Sequence, residues 1–512
     1  MSVASQPSSP ADLQRIEKLQ QQLQYAELKI QVLEARLRKL RIDKYGPGSE
    51  KLSDAQLELL ELEPGVSRAE VQAESQRPPT VAAAKPRQKH PGRQTLPPDL
   101  PRVEKVVPCR PEECVCPGCG EQREVIGYQE SERLDVEPAK YFVQVTQREK
   151  RACPKCAEQG VVCAPLPPRI IDKGLASDQI VIDTVVNKYC DHLPLYRQSA
   201  MLERDTGVEL SRATLDGWVL QVGQLLMPLV GTMRQELLQG SYIQADETPV
   251  EVQMHDGRGK NHQGYLWQYG RPGGNVIFEF RLSRGRDGPK EFLGQFNGLL
   301  QTDGYAAYDQ VGGPHLVHAA CWAHAERYFA EAVELNPHDP LAKPIRAHID
   351  ALFAVDAEAR QQAMTAEARH ALRQEKSRPL LDRIQQQVGA TLPQVLPASA
   401  LGKACKYTLT LWEKLTRFLQ HPELELSNNL AENSMRPVAV GRKNWIHIGS
   451  RQAGPKIAAI ISVIESCRRL KVPVRAYLGA VLPGLADCPI QRLSELTPAA
   501  WQSRAPNSPD CH

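Results

Sequence analysis

The chain has 512 residues, 41% hydrophobic and 24% charged, with a net charge of only +3. That is a globular composition, long enough for three or more folding units, and it excludes a membrane span, because the apolar run "IAAIISVI" near residue 460 is far too short to cross a bilayer. The Ser-, Gln- and Pro-rich start has no apolar signal core, which points to the cytoplasm, and the small net charge leaves any case for nucleic acid to local basic clusters.

Residues 11–42 carry Ile16, Leu19, Leu23, Ala26, Ile30, Leu33, Leu37 and Leu40, alternately three and four apart. This is an a/d stripe over roughly four heptads. A stripe so narrow fits a coiled-coil seam, and hence a homo-oligomer, better than a helix packed on its own protein. "YGPGSE" at 45–50 stops the helix, and the coiled-coil unit is taken as 1–63. Residues 64–108 are a Pro-rich linker with Lys85, Arg87, Lys89, Arg93 and Arg102. Its pattern fits a basic arm lying along DNA phosphates and a solvated tether equally well.

Seven of the 13 cysteines fall between Cys109 and Cys163. Cys116 with Cys119, and Cys153 with Cys156, form two Cys-x-x-Cys knuckles, the ligand set of a tetrahedral structural zinc. The β-like "YFVQVTQREKRA" between them suits a zinc ribbon over 109–168, with Cys109, Cys114 and Cys163 as competing ligands. Residues 169–236 read as helical. Within them a turn at Gly207 and an N-cap at Ser211 give the spacing of a helix-turn-helix that would present Arg212 and Thr214 to DNA, or of an ordinary helical hairpin.

From about residue 237 the periodicity turns to strands: "SYIQADETPVEV", ending in acids, then "GYLWQYG", "NVIFEFRL" and "GLLQTDGYAAYD". Asp246 and Asp303 each follow an apolar run. If their strands are neighbours, the two carboxylates meet at one end of a sheet, where a divalent cation relieves their repulsion. Phosphodiester cleavage uses two such ions about 3.5–4 Å apart, and oxygen ligands select Mg²⁺ or Mn²⁺. A third acid, Glu432, stands in "LSNNLAENSMRPVAVGRKNW" on a helix begun by Ser427, Asn428 or Asn429 and ended or kinked by Pro437. Spacing of four puts Arg436 on its face, and Arg436, Arg442 and Lys443 are candidate phosphate contacts. A plain surface Glu–Arg pair fits the same spacing.

"ADETPV", "TDGYAAY", "CWAH" and "NNLAENSMRPVAVGRKNW", in this order, resemble the transposases of the bacterial insertion sequence 66 family. The likeness also takes in "GPGSEKL", the ribbon cysteines and "KYCDHLPLYRQ". It implies a DDE transposase with an RNase H-like core at 237–470, a helical insertion at about 330–425, and a C-terminal segment at 471–512. It implies Asp246, Asp303 and Glu432 as the catalytic, Mg²⁺-binding triad, with Cys321 and His324 packing near the site rather than binding metal. Glu247 is expected on the opposite face. Where relatives carry consecutive basic residues after "CWAHA", this chain has Glu326 before Arg327. The fold expected is thus multidomain α+β, with a coiled coil, a zinc ribbon, a helical DNA-binding region and an RNase H-like α/β core. Expected partners are DNA (inverted-repeat ends and target), further copies of the chain and accessory proteins of the same element. The alternative function is a sequence-specific DNA-binding regulator whose acids are inert.

Overall fold

The computed structural model describes residues 102–504 except 105, 112–113, 115, 130, 132, 134–139, 153–160, 173, 255–260, 338 and 446, together with Leu19, Gln20 and Leu23. The rest of the expected coiled coil, most of the linker, and Cys153 and Cys156 lie outside these residues. Leu19 and Leu23 of the apolar stripe are helical and more than half exposed. The described residues between 102 and 143 belong to one unit, and Leu19, Gln20, Leu23 and those from 144 onward to another.

In the first unit the ordered feature is a tight turn at Cys116. Gly120 donates its N–H to the Cys116 carbonyl (2.9 Å), and Cys116 N–H goes to the Glu121 carbonyl (2.8 Å). Gly120 sits at φ +78°, a conformation glycine adopts without penalty.

The second unit opens with a small antiparallel pair, β1 (Lys150–Ala152) and β2 (Val161–Cys163). Three helices follow: α1 (Asp178–Tyr189), α2 (Leu195–Thr206) and α3 (Arg212–Leu238). Gly207, at φ 71°, ends α2, and the Ser211 side chain accepts the Thr214 N–H to start α3. Leu215, Trp218, Val222, Leu226, Leu229 and Met233 bury one face of α3, the three-and-four spacing of an amphipathic helix.

The sheet comes next. Its strands are β3 (Tyr242–Val252), β4 (His262–Gly270), β5 (Val276–Arg281), β6 (Leu299–Thr302), β7 (Val317–Ala320) and β8 (His447–Ile448), with α4 (Asp287–Leu293) between β5 and β6. The order is β5-β4-β3-β6-β7, and β8 adds to β3. β3, β4 and β5 pair antiparallel; β3, β6 and β7 pair parallel. One expectation needs correction: β3 does not end at its acids. It runs on to Val252 because β4 pairs with it across nine positions, Gln244↔Gly270 to Val252↔His262.

A helical block follows: α5 (Trp322–Leu335), α6 (Ala342–Gln361), α7 (Ala366–Leu372), α8 (Arg378–Thr391), α9 (Ala400–Thr410) and α10 (Trp412–Thr416). Phe329, Ile349, Leu352, Ile384 and Leu401 form its core, and the sheet joins that core through Tyr242, Leu299 and Ala320. The chain then returns to the sheet as α11 (Asn429–Trp445) and continues with α12 (Ala453–Arg469), α13 (Val474–Val481) and α14 (Pro498–Arg504). The apolar run noted near residue 460 is α12, buried nearly all round. Its Gly223-facing side touches α3 so closely that a Cβ on Gly223 would lie 2.6 Å from the Lys456 carbonyl oxygen. Two of its serines guard the outer edge of β5: Val276 N–H donates to Ser466 Oγ and Phe278 N–H to Ser462 Oγ, both at 2.8 Å. An edge so covered is closed to further strands. No helix among the described residues is long and apolar enough to cross a membrane.

Candidate active site

β3 and β6 pair in parallel with Gln244 opposite Gln301. Two residues on, each strand reaches an acid, Asp246 or Asp303; both strands carry the triplet Gln-x-Asp. Period-two alternation puts each aspartate on the face of its glutamine, and the two glutamines share a face, since Gln244 Nε2 donates to Gln301 Oε1 at 3.0 Å. β6 stops at Thr302, so the two acids stand where the parallel pairing ends. Asp246 Oδ1 accepts the Glu247 N–H (2.9 Å) and Asp303 Oδ1 the Tyr305 N–H (2.8 Å). The Asp303 carbonyl accepts the hydroxyl of Tyr407, from α9, at 2.5 Å.

Glu432 arrives on the first turn of α11. Its approach is held by buried amides beneath the aspartates. Gln301 Nε2 donates to the Glu425 carbonyl (2.7 Å), and Gln244 Nε2 to the Ser427 carbonyl (3.0 Å). Tyr242 Oη donates to Gln301 Oε1 (2.5 Å) and receives Gln244 Nε2 (2.8 Å). The helix starts on the Asn428 carbonyl, which accepts the N–H groups of Ala431 and Glu432. Two further ties bind α11 to β3. Arg442 Nη1 donates to Thr248 Oγ1 (3.1 Å) and the Pro249 carbonyl (2.6 Å), and β8, just beyond the helix, pairs Glu251↔His447 and Val252↔Ile448.

The three carboxylates share one electrostatic neighbourhood. Burial, above all, pushes the Asp246 carboxyl up to about 8; the charge of Glu247 adds to this, and those of Asp303 and Glu432 follow. Desolvation and like charge both penalise its ionised form. Glu432 Oε2 accepts Arg327 Nη2 at 3.0 Å, while Oε1 is buried without a hydrogen bond, 3.5 Å from His324 Nε2. A carboxyl whose charged form is disfavoured, by burial first and by like charges second, and a buried carboxylate oxygen without a hydrogen bond fit a divalent cation. Glu247 points elsewhere: it is 2% exposed, ion-paired to Arg284 (2.7 Å) and bonded by the Tyr308 hydroxyl (2.8 Å).

Other predicted residues fall as follows. Arg436 does not pair with Glu432. It is exposed, has no partner among the described residues, and lines a cavity of about 730 Å³ with Tyr189, His192 and Arg468. Lys443 and Arg212 are likewise exposed and unpartnered among the described residues. Arg442 is turned partly inward by its bonds to β3. Pro437 does not end α11, which continues eight residues to Trp445. The proline removes a donor for the Asn433 carbonyl, and Arg468 Nη2 reaches that carbonyl instead (3.4 Å). Cys321 is buried and its sulfur receives the Asn428 N–H (3.4 Å). At the ribbon, the N–H of Gly118, followed by that of Cys119, lowers the Cys116 thiol pKa, which favours the thiolate a metal needs.

The pairing of Arg327 with Glu432, and Tyr407 and the Tyr242–Gln244–Gln301 cluster, escaped the sequence reading. The repeated Gln-x-Asp triplet was the available signal for the glutamines. Replacing Gln301 with Leu strands the Glu425 carbonyl and leaves the Tyr242 O–H without its acceptor, at about 1–3 kcal/mol per group. Urea denaturation is expected to show a loss of about 2–4 kcal/mol; an unchanged midpoint would argue that the cluster holds nothing.

Comparison with known proteins gives three family matches. "Transposase IS66 family" covers residues 173–456, "zinc-finger binding domain of transposase IS66" covers 113–157, and "Transposase C of IS166 homeodomain" covers 32–104. Among similar curated proteins of Sinorhizobium fredii (strain NBRC 101917 / NGR234), uncharacterized protein y4hP is 30% identical over 501 residues, covering 92% of this chain and 89% of that one. Uncharacterized protein y4qI is 32% identical over 486 residues, covering 90% and 87%, and y4jD is 33% identical over 425, covering 80% and 82%.

Proposed function

The chain belongs to the transposase IS66 family, and from that premise we propose that it is a DDE transposase, cutting and joining DNA at the terminal inverted repeats of an insertion sequence. The observation that carries this reading is electrostatic: the charges of Asp303 and Glu432 both add to the burial and the Glu247 charge that push the Asp246 carboxyl up to about 8, and Asp246 and Asp303 each follow a glutamine of the parallel pair Gln244↔Gln301. The strand order, three antiparallel then two parallel around β3, supports an RNase H-like core with the helical block inserted between the second and third acids.

Asp246, Asp303 and Glu432 would hold two Mg²⁺ or Mn²⁺ ions, which supply activation of the attacking water or 3′-hydroxyl and stabilisation of the leaving oxygen. The chain's own residues do the rest. Glu425 to Ser427, hung on the two glutamines, set the height of Glu432. Arg327 holds one oxygen of Glu432 and leaves the other free. Arg212, Arg436 and Lys443, unpartnered among the described residues, face DNA phosphates, where each neutralised charge adds a salt-dependent increment; Arg442, held to β3, is the fourth proposed phosphate contact. Structural zinc is supported by the zinc-finger family match, and Cys116, Cys119, Cys153 and Cys156 are its proposed ligands. Exposed Leu19 and Leu23 favour self-association through the N-terminal coiled coil, and accessory proteins of the same element complete the proposed partners.

The test is a gel assay on inverted-repeat DNA with and without Mg²⁺. Metal-dependent cleavage followed by strand joining is expected; retention of the DNA with no cut under any metal would leave a DNA-binding regulator instead. A second outcome is expected in thermal melts. The unfolded Asp246 loses its proton near pH ~4 and the folded one near 8. Without divalent ions, stability therefore falls as pH rises between these values. Millimolar Mg²⁺ is expected to raise the melting temperature more at pH 8 than at pH 5; an equal rise at both would count against Asp246 as a ligand.

A further inference from the structure

Beside the three acids stands a donor set of different chemistry. The Cys321 sulfur, a His324 ring nitrogen and a Glu432 carboxylate oxygen lie within 4.8 Å of one another. Cys321 is the N-cap of α5 and His324 lies on its first turn, so Cys-x-x-His spacing brings both to one side of the helix start; Glu432 comes in from α11. The sulfur already takes a backbone N–H from Asn428, as metal-bound sulfurs commonly do in knuckles. The two oxygens of Glu432 are in unlike settings: Oε2 is held by Arg327, whereas Oε1 is buried, lacks a hydrogen bond and faces His324 Nε2 at 3.5 Å. Zinc holds its ligands at about 2.0–2.3 Å, which sets tetrahedral ligand atoms roughly 3.3–3.8 Å from one another; the 3.5 Å between His324 Nε2 and Glu432 Oε1 already fits, and the whole set lies within 4.8 Å. His324 and Glu432 are 18% and 27% exposed and can turn to bring the set to that spacing.

Oxygen-only carboxylates select Mg²⁺ or Mn²⁺, whereas thiolate, imidazole and carboxylate together select a softer ion such as Zn²⁺. We propose that Cys321, His324 and Glu432 Oε1 bind a thiophilic divalent cation, and that this ion withdraws Glu432 from the catalytic set and arrests cleavage. On binding, a metal–sulfur bond replaces the Cys321 S–H bond and its proton leaves to solvent; nothing is oxidised or reduced. The fourth position is left to water. The inhibitory half rests on the reading of Glu432 as catalytic; the binding half does not.

The full chain, Cys321→Ser and His324→Gln are each equilibrated with Zn²⁺, dialysed, and their zinc per chain measured, with circular dichroism to confirm the fold. The wild type is expected to retain one zinc more than either variant, whatever the ribbon holds. Equal zinc in all three overturns the site; if Cys321→Ser misfolds, His324→Gln alone decides. Cleavage in excess Mg²⁺ is then titrated with Zn²⁺. Half-inhibition of the wild type is expected at about tenfold or more lower Zn²⁺ than of His324→Gln; equal sensitivity overturns the regulation. A wild type that takes up the extra zinc but never cuts DNA leaves the site standing and sinks the transposase mechanism.

Discussion

Replacing Asp303 with Asn is expected to lower Mg²⁺-dependent cleavage of inverted-repeat DNA by about a thousandfold. The amide keeps the shape of the side chain and an oxygen for the Tyr305 N–H, so the bend after β6 and the Tyr407 bond to the Asp303 carbonyl survive. Only the charge goes. A metal ion at a reacting phosphate contributes several kcal/mol, and a decade of rate corresponds to about 1.36 kcal/mol, so losing about 4 kcal/mol removes three decades. Initial rates on end-containing DNA measure this directly, and mobility shifts should find DNA binding unaltered. Stability should move the other way. The Asp303 charge helps to raise the Asp246 pKa, and a neutral neighbour relieves that strain, so Asp303→Asn should melt no lower than wild type in metal-free buffer. A folded variant cutting within tenfold of wild type would remove Asp303 from the chemistry.

The largest effect on stability is expected at Arg373, far along the chain from any acid of the site. Its side chain is fully buried and pairs with Asp356, itself 1% exposed, through Nε at 2.9 Å and Nη2 at 2.9 Å. Its Nη1 also donates to the carbonyls of Phe418, His421 and Pro422, and Nη2 to that of Leu424. Arg373→Met fills the volume but leaves Asp356 with Arg369 as its near partner and takes the Arg373 donors from the carbonyls of Phe418, His421, Pro422 and Leu424. Breaking a buried pair from one side typically costs about 3–5 kcal/mol, and a loss of that size is expected in urea denaturation. Because 418–424 leads into the Glu425–Ser427 segment, cleavage should fall as well. A companion Asp356→Leu, Arg373→Met chain should be less destabilised than Arg373→Met alone, since no charge is left unpaired. A single variant within about 1 kcal/mol of wild type would show the clamp to be dispensable.

The acids of the sheet were visible because short-range rules suffice there: an apolar run, then a carboxylate, twice over. The geometry around Glu432 was hidden because its partners are remote. Arg327 lies 105 residues away, and helical spacing, which offers Arg436, knows only local neighbours. Pro437 does not end α11 for a related reason. The rule that proline stops a helix assumes the freed carbonyl goes unmet, and here Arg468 from another helix meets it. β7 and β8 are four and two residues long, too short to show an alternating pattern, and exist because neighbouring strands offer them an edge. The buried glutamines were overlooked because a polar residue in a strand reads as surface until its partners are known.

The ties between β3 and α11 turn strand and helix into a single truss. One of its members carries Asp246, the other Glu432, and the bracing at Ser427, Arg442 and His447–Ile448 spans its length. A truss of that kind does not slide or hinge by small amounts. Whatever fine adjustment successive nucleophiles demand has to come from the torsions of one glutamate side chain and from the way the nucleic acid seats itself, while the backbone supporting both acids stays put.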